Sequence, residues 1–307
     1  MRTILLRISA GMACLVSQVG FISRHRTANY LHFPMPSKNG FELNERDIEL
    51  LHYLYQLRIA TVDQLAALSG RSVRSLWGRL LKLKERRYVA IAARFMQKNA
   101  YAVGPVGASL LAAEGYATAD IREKRLRHNE LTDFGIRHSL FVADIHARML
   151  LLTRGTPVSL SRWIEGTPLW DTIPAGDGAP AIPIRPDSYF VLTNSEVPEG
   201  KKTIHVFLEA DRSTMAHTRM AAKVQGYLAY HSGRRYVKKY PGMQSFIVAT
   251  VTQTRSRAVE LRRDLHPLIP RTAQAAYPFI AFEDLTLERL VPELPNAFPG
   301  VHPMRNP

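Results

Sequence analysis

Residues 203–211, TIHVFLEAD, begin as a buried β-strand and end in charge, because Glu209, Asp211 and Arg212 arrive within four residues. Side chains alternate faces along a strand, so Glu209 and Asp211 share one face. The flanking chain shows what kind of sheet such a strand belongs to. A long helical run from Leu131, LTDFGIRHSLFVADIHARMLLLTR, carries Leu140, Ala143, Ala147 and Leu151 on a common face. The periodicity then turns to that of strands in VSLSRWIE, IRPDSYFVL and TIHVFLEA. A helix over TMAHTRMAAKVQGYLAYH, a strand at SFIVATV, a helix at SRAVELRRDL and a short strand at PFIAFED follow. TPLWDTIPAGDGAPAIP and TNSEVPEGKK carry the Pro, Gly and Asn of turns and read as loops. This mixture predicts an α/β domain with a central mixed sheet over 131–290.

Within that domain the second strand opens on Pro186-Asp187 and the third finishes Glu209-Ala210-Asp211. If the two strands are antiparallel neighbours, Asp187 and Glu209 meet at one sheet edge. Three carboxylates converging there repel unless one is protonated or a cation sits between them. A hard, oxygen-seeking Mg²⁺ or Mn²⁺ is the expected partner, with Asp187, Glu209 and Asp211 as its ligands.

Residues 41–116 read as a helical module. Asn44 caps a helix with Ile48, Leu51, Leu54 and Leu57 on one face. Thr61 and Gln64 form a capping-box pattern ahead of Val62, Leu65 and Leu68, and Gly70 ends that helix. In a third helix, from about Ser72 to Arg87, the residues Val73, Leu76, Trp77, Leu80, Leu81 and Leu83 gather on one side. Arg71, Arg74, Ser75, Arg79, Lys82 and Arg86 gather on the other, with Glu85 the lone acid among them. Two strand-like runs, YVAIAARF and NAYAVG, are joined through Arg94, Gln97, Lys98 and Asn99, and PVGASLLAAEG forms a small helix after them. Three helices followed by a basic hairpin is the order of a winged helix-turn-helix, whose third helix enters the major groove while the hairpin lies along phosphates. The expected DNA contacts are therefore Arg71, Arg74, Ser75, Arg79, Lys82, Arg86, Arg94 and Lys98. A formal net charge of +15 agrees with a polyanionic partner. The competing reading is a three-helix bundle with a solvated basic face.

The remaining segments carry less. ATADIREKRLRHNE, residues 117–130, reads as a charged linker and 291–307 as a disordered tail. Residues 1–40 have a basic start and an apolar middle, but Arg7 and Gln18 interrupt the apolar run. They read as a disordered leader or an upstream start codon rather than a signal or a span. Cys14 is the one cysteine, which leaves no internal disulfide and no cysteine zinc site. That fits a cytoplasmic chain without a membrane partner. His138 and His146 lie eight residues apart on the long helix, too far to chelate one ion, so His138 reads as a hydrogen-bonding residue beside the site. Glu165 reads as a surface carboxylate. Ser213, Thr214 and His217 lack an oxyanion-hole loop, and the GxxxxGK[ST] signature of ATP-driven motors does not occur. Tyr227, Tyr230, Tyr236 and Tyr240 lack the three-histidine cluster of tyrosine strand transfer and read as core or stacking residues.

With these residues in place, the strand order and the PD … ExD pattern resemble the PD-(D/E)xK nuclease superfamily. From about residue 44 to 270 the arrangement resembles the replication-relaxation family of plasmid and mobile-element proteins. That family joins a winged helix to a domain with a PD strand, an E-x-D-R strand end and a K…Y helix. The matching residues are Pro186-Asp187, Glu209-Ala210-Asp211-Arg212, and Lys223 with Tyr227. The resemblance implies a multi-domain α+β chain: a winged helix followed by a restriction-endonuclease-like α/β domain. It implies Asp187 and Glu209 as metal ligands and Lys223 as the group that orients a water, reaching in from the next helix. Asp211 stands where the nuclease pattern has its lysine. His138, Arg212 and Tyr227 are the expected accessory residues. The implied partners are DNA and other plasmid replication or mobilisation proteins. Two functions remain open: a Mg²⁺-dependent nuclease or nicking accessory, and a non-cleaving regulator of replication, mobilisation or transcription. Whether Lys223 reaches back to the carboxylates bears on the choice.

Overall fold

The computed structural model describes residues 41–95, 98–118, 132–174, 181–197, 203–213 and 215–291. The expected leader over 1–40, nearly all of the 117–130 linker, and the tail beyond 291 lie outside the described residues. Among the described residues, those from Leu43 onward form one compact unit.

Helix α1 (Glu45–Leu57) starts at Asn44, which accepts the Asp47 N–H while the Asp47 carboxylate accepts the Asn44 N–H. This reciprocal cap satisfies two otherwise orphaned donors. Strand β1 (Ala60–Thr61) leads into α2 (Val62–Ser69), which opens on the Thr61–Gln64 capping box and closes on Gly70 in the left-handed region. Helix α3 (Val73–Glu85) is capped by Ser72. Strands β2 (Val89–Phe95) and β3 (Lys98–Val103) form an antiparallel hairpin, and β3 also pairs with β1. Helix α4 (Pro105–Ala113) follows, pressed so closely to the start of the hairpin that a Cβ on Gly107 would sit 2.3 Å from the Tyr88 carbonyl oxygen.

Two expectations about α3 are corrected. Only Leu76, Leu80 and Leu83 are buried, whereas Val73, Leu81 and Trp77 are exposed, Trp77 at 58%. The helix packs through a single stripe against α2 and β2, and residues one step around the cylinder fall outside it. Arg79, expected on the outer basic face, turns inward instead: its Nε donates to Asp47 Oδ1 at 2.7 Å and its Nη2 to Asp47 Oδ2. Asp47 is fully buried, and a carboxylate without water needs a cation.

Helix α5 (Asp133–Thr153) precedes strand β4 (Val158–Glu165). Two short strands, β5 (Asp171–Ile173) and β6 (Ile182–Ile184), pair with each other where the sequence reads as loop. Three residues are too few to display alternation. Strands β7 (Ser188–Asn194) and β8 (Thr203–Asp211) come next, then α6 (His217–Ser232), α7 (Tyr236–Lys239), β9 (Ile247–Thr252), α8 (Arg255–Leu265), β10 (Phe279–Ala281) and α9 (Leu287–Leu290). The five-stranded sheet has the order β10-β9-β8-β7-β4, with β10, β9 and β8 parallel and the β8–β7 and β7–β4 pairs antiparallel. It is the expected mixed sheet, with helices on both faces.

Alternation along β8 divides the core. Val206, Leu208 and Ala210 pack towards α5 with Phe141, Val142 and Ile145. Phe207 packs on the other face among Tyr227, Tyr230, Phe246 and Leu261 from α6, the β9 approach and α8. The helical module rests on α5: Ile59, Ala100 and Ala102 bury against Leu140. Gln64 Nε2 donates to the Leu140 carbonyl at 3.2 Å and to Asp144 Oδ1 at 2.6 Å, and Arg154 reaches the Leu68 carbonyl at 2.7 Å.

Replacing Arg79 with Ala strands the Asp47 charge. The expected loss is about 3 kcal/mol of stability, read as a lower midpoint in urea unfolding. An exposed basic side chain at that position would cost less than about 0.5 kcal/mol.

Candidate functional site

The site is built at the C-terminal end of β8. Glu209 points to the α6 face, where Tyr227 Oη donates to its Oε1 at 2.6 Å and Lys223 Nζ forms an ion pair with its Oε2. Lys223 and Tyr227 are four residues apart, so one helical stripe presents both. Strand β7 lies beside β8 with Ser188 opposite Leu208, which sets Asp187 next to Glu209. Pro186 has no N–H for a ladder, and the strand accordingly begins after Asp187 rather than running through the Pro-Asp pair. The Asp187 N–H donates to the Leu208 carbonyl at 3.0 Å, and the Ala210 N–H donates to Asp187 Oδ2 at 2.7 Å. His138 comes from α5 on the opposite layer, its Nε2 3.1 Å from Asp187 Oδ1.

Asp211 goes elsewhere. It shares the Glu209 face, as alternation requires, but its Oδ2 accepts Arg257 Nε from α8 at 2.7 Å and its Oδ1 accepts the Ser213 N–H at 3.1 Å. Arg257 Nη2 also donates to the Met215 carbonyl at 2.6 Å, and its Nη1 donates to His217 Nε2. His217 Nδ1 in turn faces Asp264 Oδ2 at 2.7 Å. This network fastens the strand end, the turn after it and the start of α6 to α8.

The electrostatics follow from burial. Burial and the neighbouring Asp187 charge push the Glu209 carboxyl up, against the pull of Lys223. Burial alone would lower Lys223, but Glu209 and Asp187 outweigh it and raise its pKa, so the ammonium is retained. Tyr227 is pushed well above its ordinary value by burial and by Glu209, and stays a donor. Burial opposes the charge of His138 too, yet its bond to Asp187 raises it, while the His138 bond, the Lys223 charge and the Ala210 N–H overcome burial to lower Asp187.

A cleft of about 250 Å³ opens beside the cluster, lined by Arg58, His138, Trp170, Arg185 and Asp187 among others. Glu209 and Lys223 do not line it, and the Glu209 side chain is 3% exposed against 21% for Asp187. The residues expected to hold Mg²⁺ or Mn²⁺ therefore do not fit a three-carboxylate site. Both Glu209 oxygens are engaged, Asp211 is held by Arg257, and Asp187 alone meets the cleft. Among the described residues no group of three or more His, Cys, Asp and Glu side chains is arranged to hold a metal ion.

The other named residues fall as follows. Arg74, Ser75 and Lys82 are exposed on α3, Arg71 and Arg86 are half-buried at its ends, and Arg94 and Lys98 are exposed on the hairpin. Lys98 pairs with Asp63 at 2.7 Å. Arg212 lies over the Phe134 ring, 5.6 Å from its centroid. Glu165 is not a free surface carboxylate: Trp163 Nε1 donates to it at 2.8 Å and Arg58 lies 3.4 Å away. His146 stacks on Trp163, apart from the site. Sequence reasoning passed over Arg257, Arg58, Arg185 and Trp170. In a chain this rich in arginine, nothing in the local pattern sets these apart.

A model of the replication-relaxation family matches residues 51–245, well over half of the chain. The chain belongs to that family. Family membership ties it to replication or mobilisation, and the matched segment runs from α1 through α7, so it contains His138, Asp187, Glu209, Lys223 and Tyr227. Arg257, which holds Asp211, lies beyond it. Neither the curated proteins nor the solved structures yield a match.

Lys223→Met leaves Glu209 buried without its cation and is expected to cost about 3 kcal/mol, with much of that recovered in the Glu209→Gln, Lys223→Met double variant. Equal losses in the single and double variants would show that packing, not charge, holds the helix. For His138 the folded pKa is raised, so its contribution is complete below its ordinary value near 6.5 and is lost as pH rises through the folded value. For Asp187 the folded pKa is lowered, so its contribution is lost as pH falls through that value. Thermal unfolding of the wild type against His138→Gln should differ most at mildly acidic pH and converge at high pH.

Proposed function

We propose that this replication-relaxation protein binds DNA through a winged-helix module and acts as a non-cleaving regulator of replication or mobilisation. Its nuclease-like carboxylate cluster is neutralised internally and serves as structure. Support for the first half comes from the order of three helices and a hairpin, with Arg74, Ser75 and Lys82 exposed together on the third helix. Neither Arg74 nor Lys82 makes an ion pair among the described residues, so both are available to phosphates or base edges. Among the described residues, no helix is long and apolar enough to cross a membrane.

The observation that carries the second half is the enclosure of Glu209 and Asp211, each with its own cation, Lys223 for the first and Arg257 for the second. Lys223 does reach Glu209, as the counter-ion of a sealed carboxylate; its own side chain is 26% exposed but does not line the cleft beside Asp187. A phosphodiester and its attacking water arrive through solvent, and a group that positions them must touch that solvent. Of the three carboxylates only Asp187 does so.

The deciding experiment incubates the full chain with supercoiled, linear and single-stranded DNA, with and without Mg²⁺ or Mn²⁺. Binding without metal-dependent cutting is expected. In the Arg74→Ala, Lys82→Ala variant, duplex affinity should fall and the slope of log K against log salt should flatten by about 2, from two lost phosphate contacts. Metal-dependent cutting that disappears in both Asp187→Ala and Glu209→Ala would overturn the non-cleaving reading and assign an enzyme.

A further inference from the structure

Two exposed aromatic rings, one lining the cleft at Asp187 and one a helical turn from His138, each carry an arginine. Trp170, 48% exposed, lines the cleft, and the Arg185 guanidinium lies 4.8 Å from its ring centroid. Phe134, 59% exposed, stands one turn ahead of His138 on α5 and carries Arg212. Neither ring is on a loose segment. Leu169 beside Trp170 is buried, and the Trp170 carbonyl accepts Lys239 Nζ at 2.6 Å. Phe134 sits in the first turn of α5, which Thr132 caps, and its carbonyl lies 3.4 Å from Arg212 Nη1.

The arginines are short of anions. Arg185 and Arg212 make no ion pair among the described residues, and Arg212 Nε is buried without a partner. Burial and the nearby Arg137 charge lower the Arg212 pKa, the mark of a cation in a positive neighbourhood. Arg58, already paired with Glu165 at 3.4 Å, adds a further guanidinium to the cleft lining from the helical module. Its backbone has φ 67° and ψ −52°, in a γ-turn closed by the Ile59 N–H on the Leu57 carbonyl at 2.8 Å. That conformation costs a non-glycine residue about 1–3 kcal/mol, and here it carries the side chain to the cleft wall.

Exposed ring faces paired with guanidinium groups are the chemistry that recognises unpaired bases and the phosphates between them. In a duplex the base faces are covered by their neighbours, so these platforms have nothing to stack on. We propose that the cleft beside His138 and Asp187 binds an unpaired segment of DNA, with bases stacked on Trp170 and Phe134 and phosphates held by Arg185 and Arg212. This rests on the DNA-binding reading above and gives the protein two distinct surfaces, one for duplex on α3 and one for single strand at the sheet edge.

The test measures fluorescence anisotropy of a labelled oligothymidine and of a duplex of equal length with the full chain. The Phe134→Ala, Trp170→Ala variant should bind the single strand about ten- to a hundredfold more weakly. Its duplex affinity should stay within about twofold of wild type. Phe134→Tyr with Trp170→Phe keeps both ring faces and should retain single-strand binding, which separates stacking from misfolding. Unchanged single-strand affinity in the alanine variant, or an equal loss for both DNAs, would overturn the proposal while leaving duplex recognition standing. A wild-type chain that binds neither DNA would overturn the DNA-binding reading itself.

Discussion

Everything at the functional end of the molecule depends on two carboxylates buried side by side on one strand. Glu209 and Asp211 leave β8 on the same face, and both are almost fully enclosed. Like charges this near each other in a medium poor in water are unfavourable unless each has its own cation and hydrogen bonds. The chain meets that demand from two helices. Lys223 on α6 serves Glu209, and Arg257 on α8 serves Asp211. The demand therefore fixes where both helices dock, and with them the Tyr227 side chain, the turn at Ser213 and the start of α6.

The opposite layer is tied to the same point through α5. His138 meets Asp187 on one turn, while Leu140 and Asp144, slightly further along, receive Gln64 from the helical module. One helix thus carries the contacts of the module and those of the carboxylate cluster. Arg58 and Glu165 form a second tie across the same boundary. The helical module and the five-stranded sheet are consequently packed together through α5.

Much of this is legible in sequence, and the limits have physical causes. The cap at Asn44, the capping box at Thr61, the long helix from residue 133 and the strands β4, β8 and β9 announce themselves because local hydrogen bonds and alternation govern them. The adjacency of Asp187 and Glu209 follows from antiparallel pairing, and the Lys223–Tyr227 stripe follows from helical spacing. The partners of Asp47 and Asp211 do not, since Arg79 and Arg257 lie 32 and 46 residues away and look like any other basic residue. Trp77 shows the same limit: periodicity places it near an apolar face but cannot say how wide a stripe the neighbours cover.

By itself, then, the sequence determined which residues stand at the end of β8, which face they take and which family the chain resembles. Only the tertiary structure decided what those residues meet. It gave Asp211 to Arg257, sealed Glu209 beneath Lys223 and Tyr227, and left Asp187 as the one of the three carboxylates at a cleft lined by Trp170 and Arg185. Alternation and helical period are properties of a local backbone, whereas the partner of a buried charge is chosen by whichever distant cation the packing brings within reach.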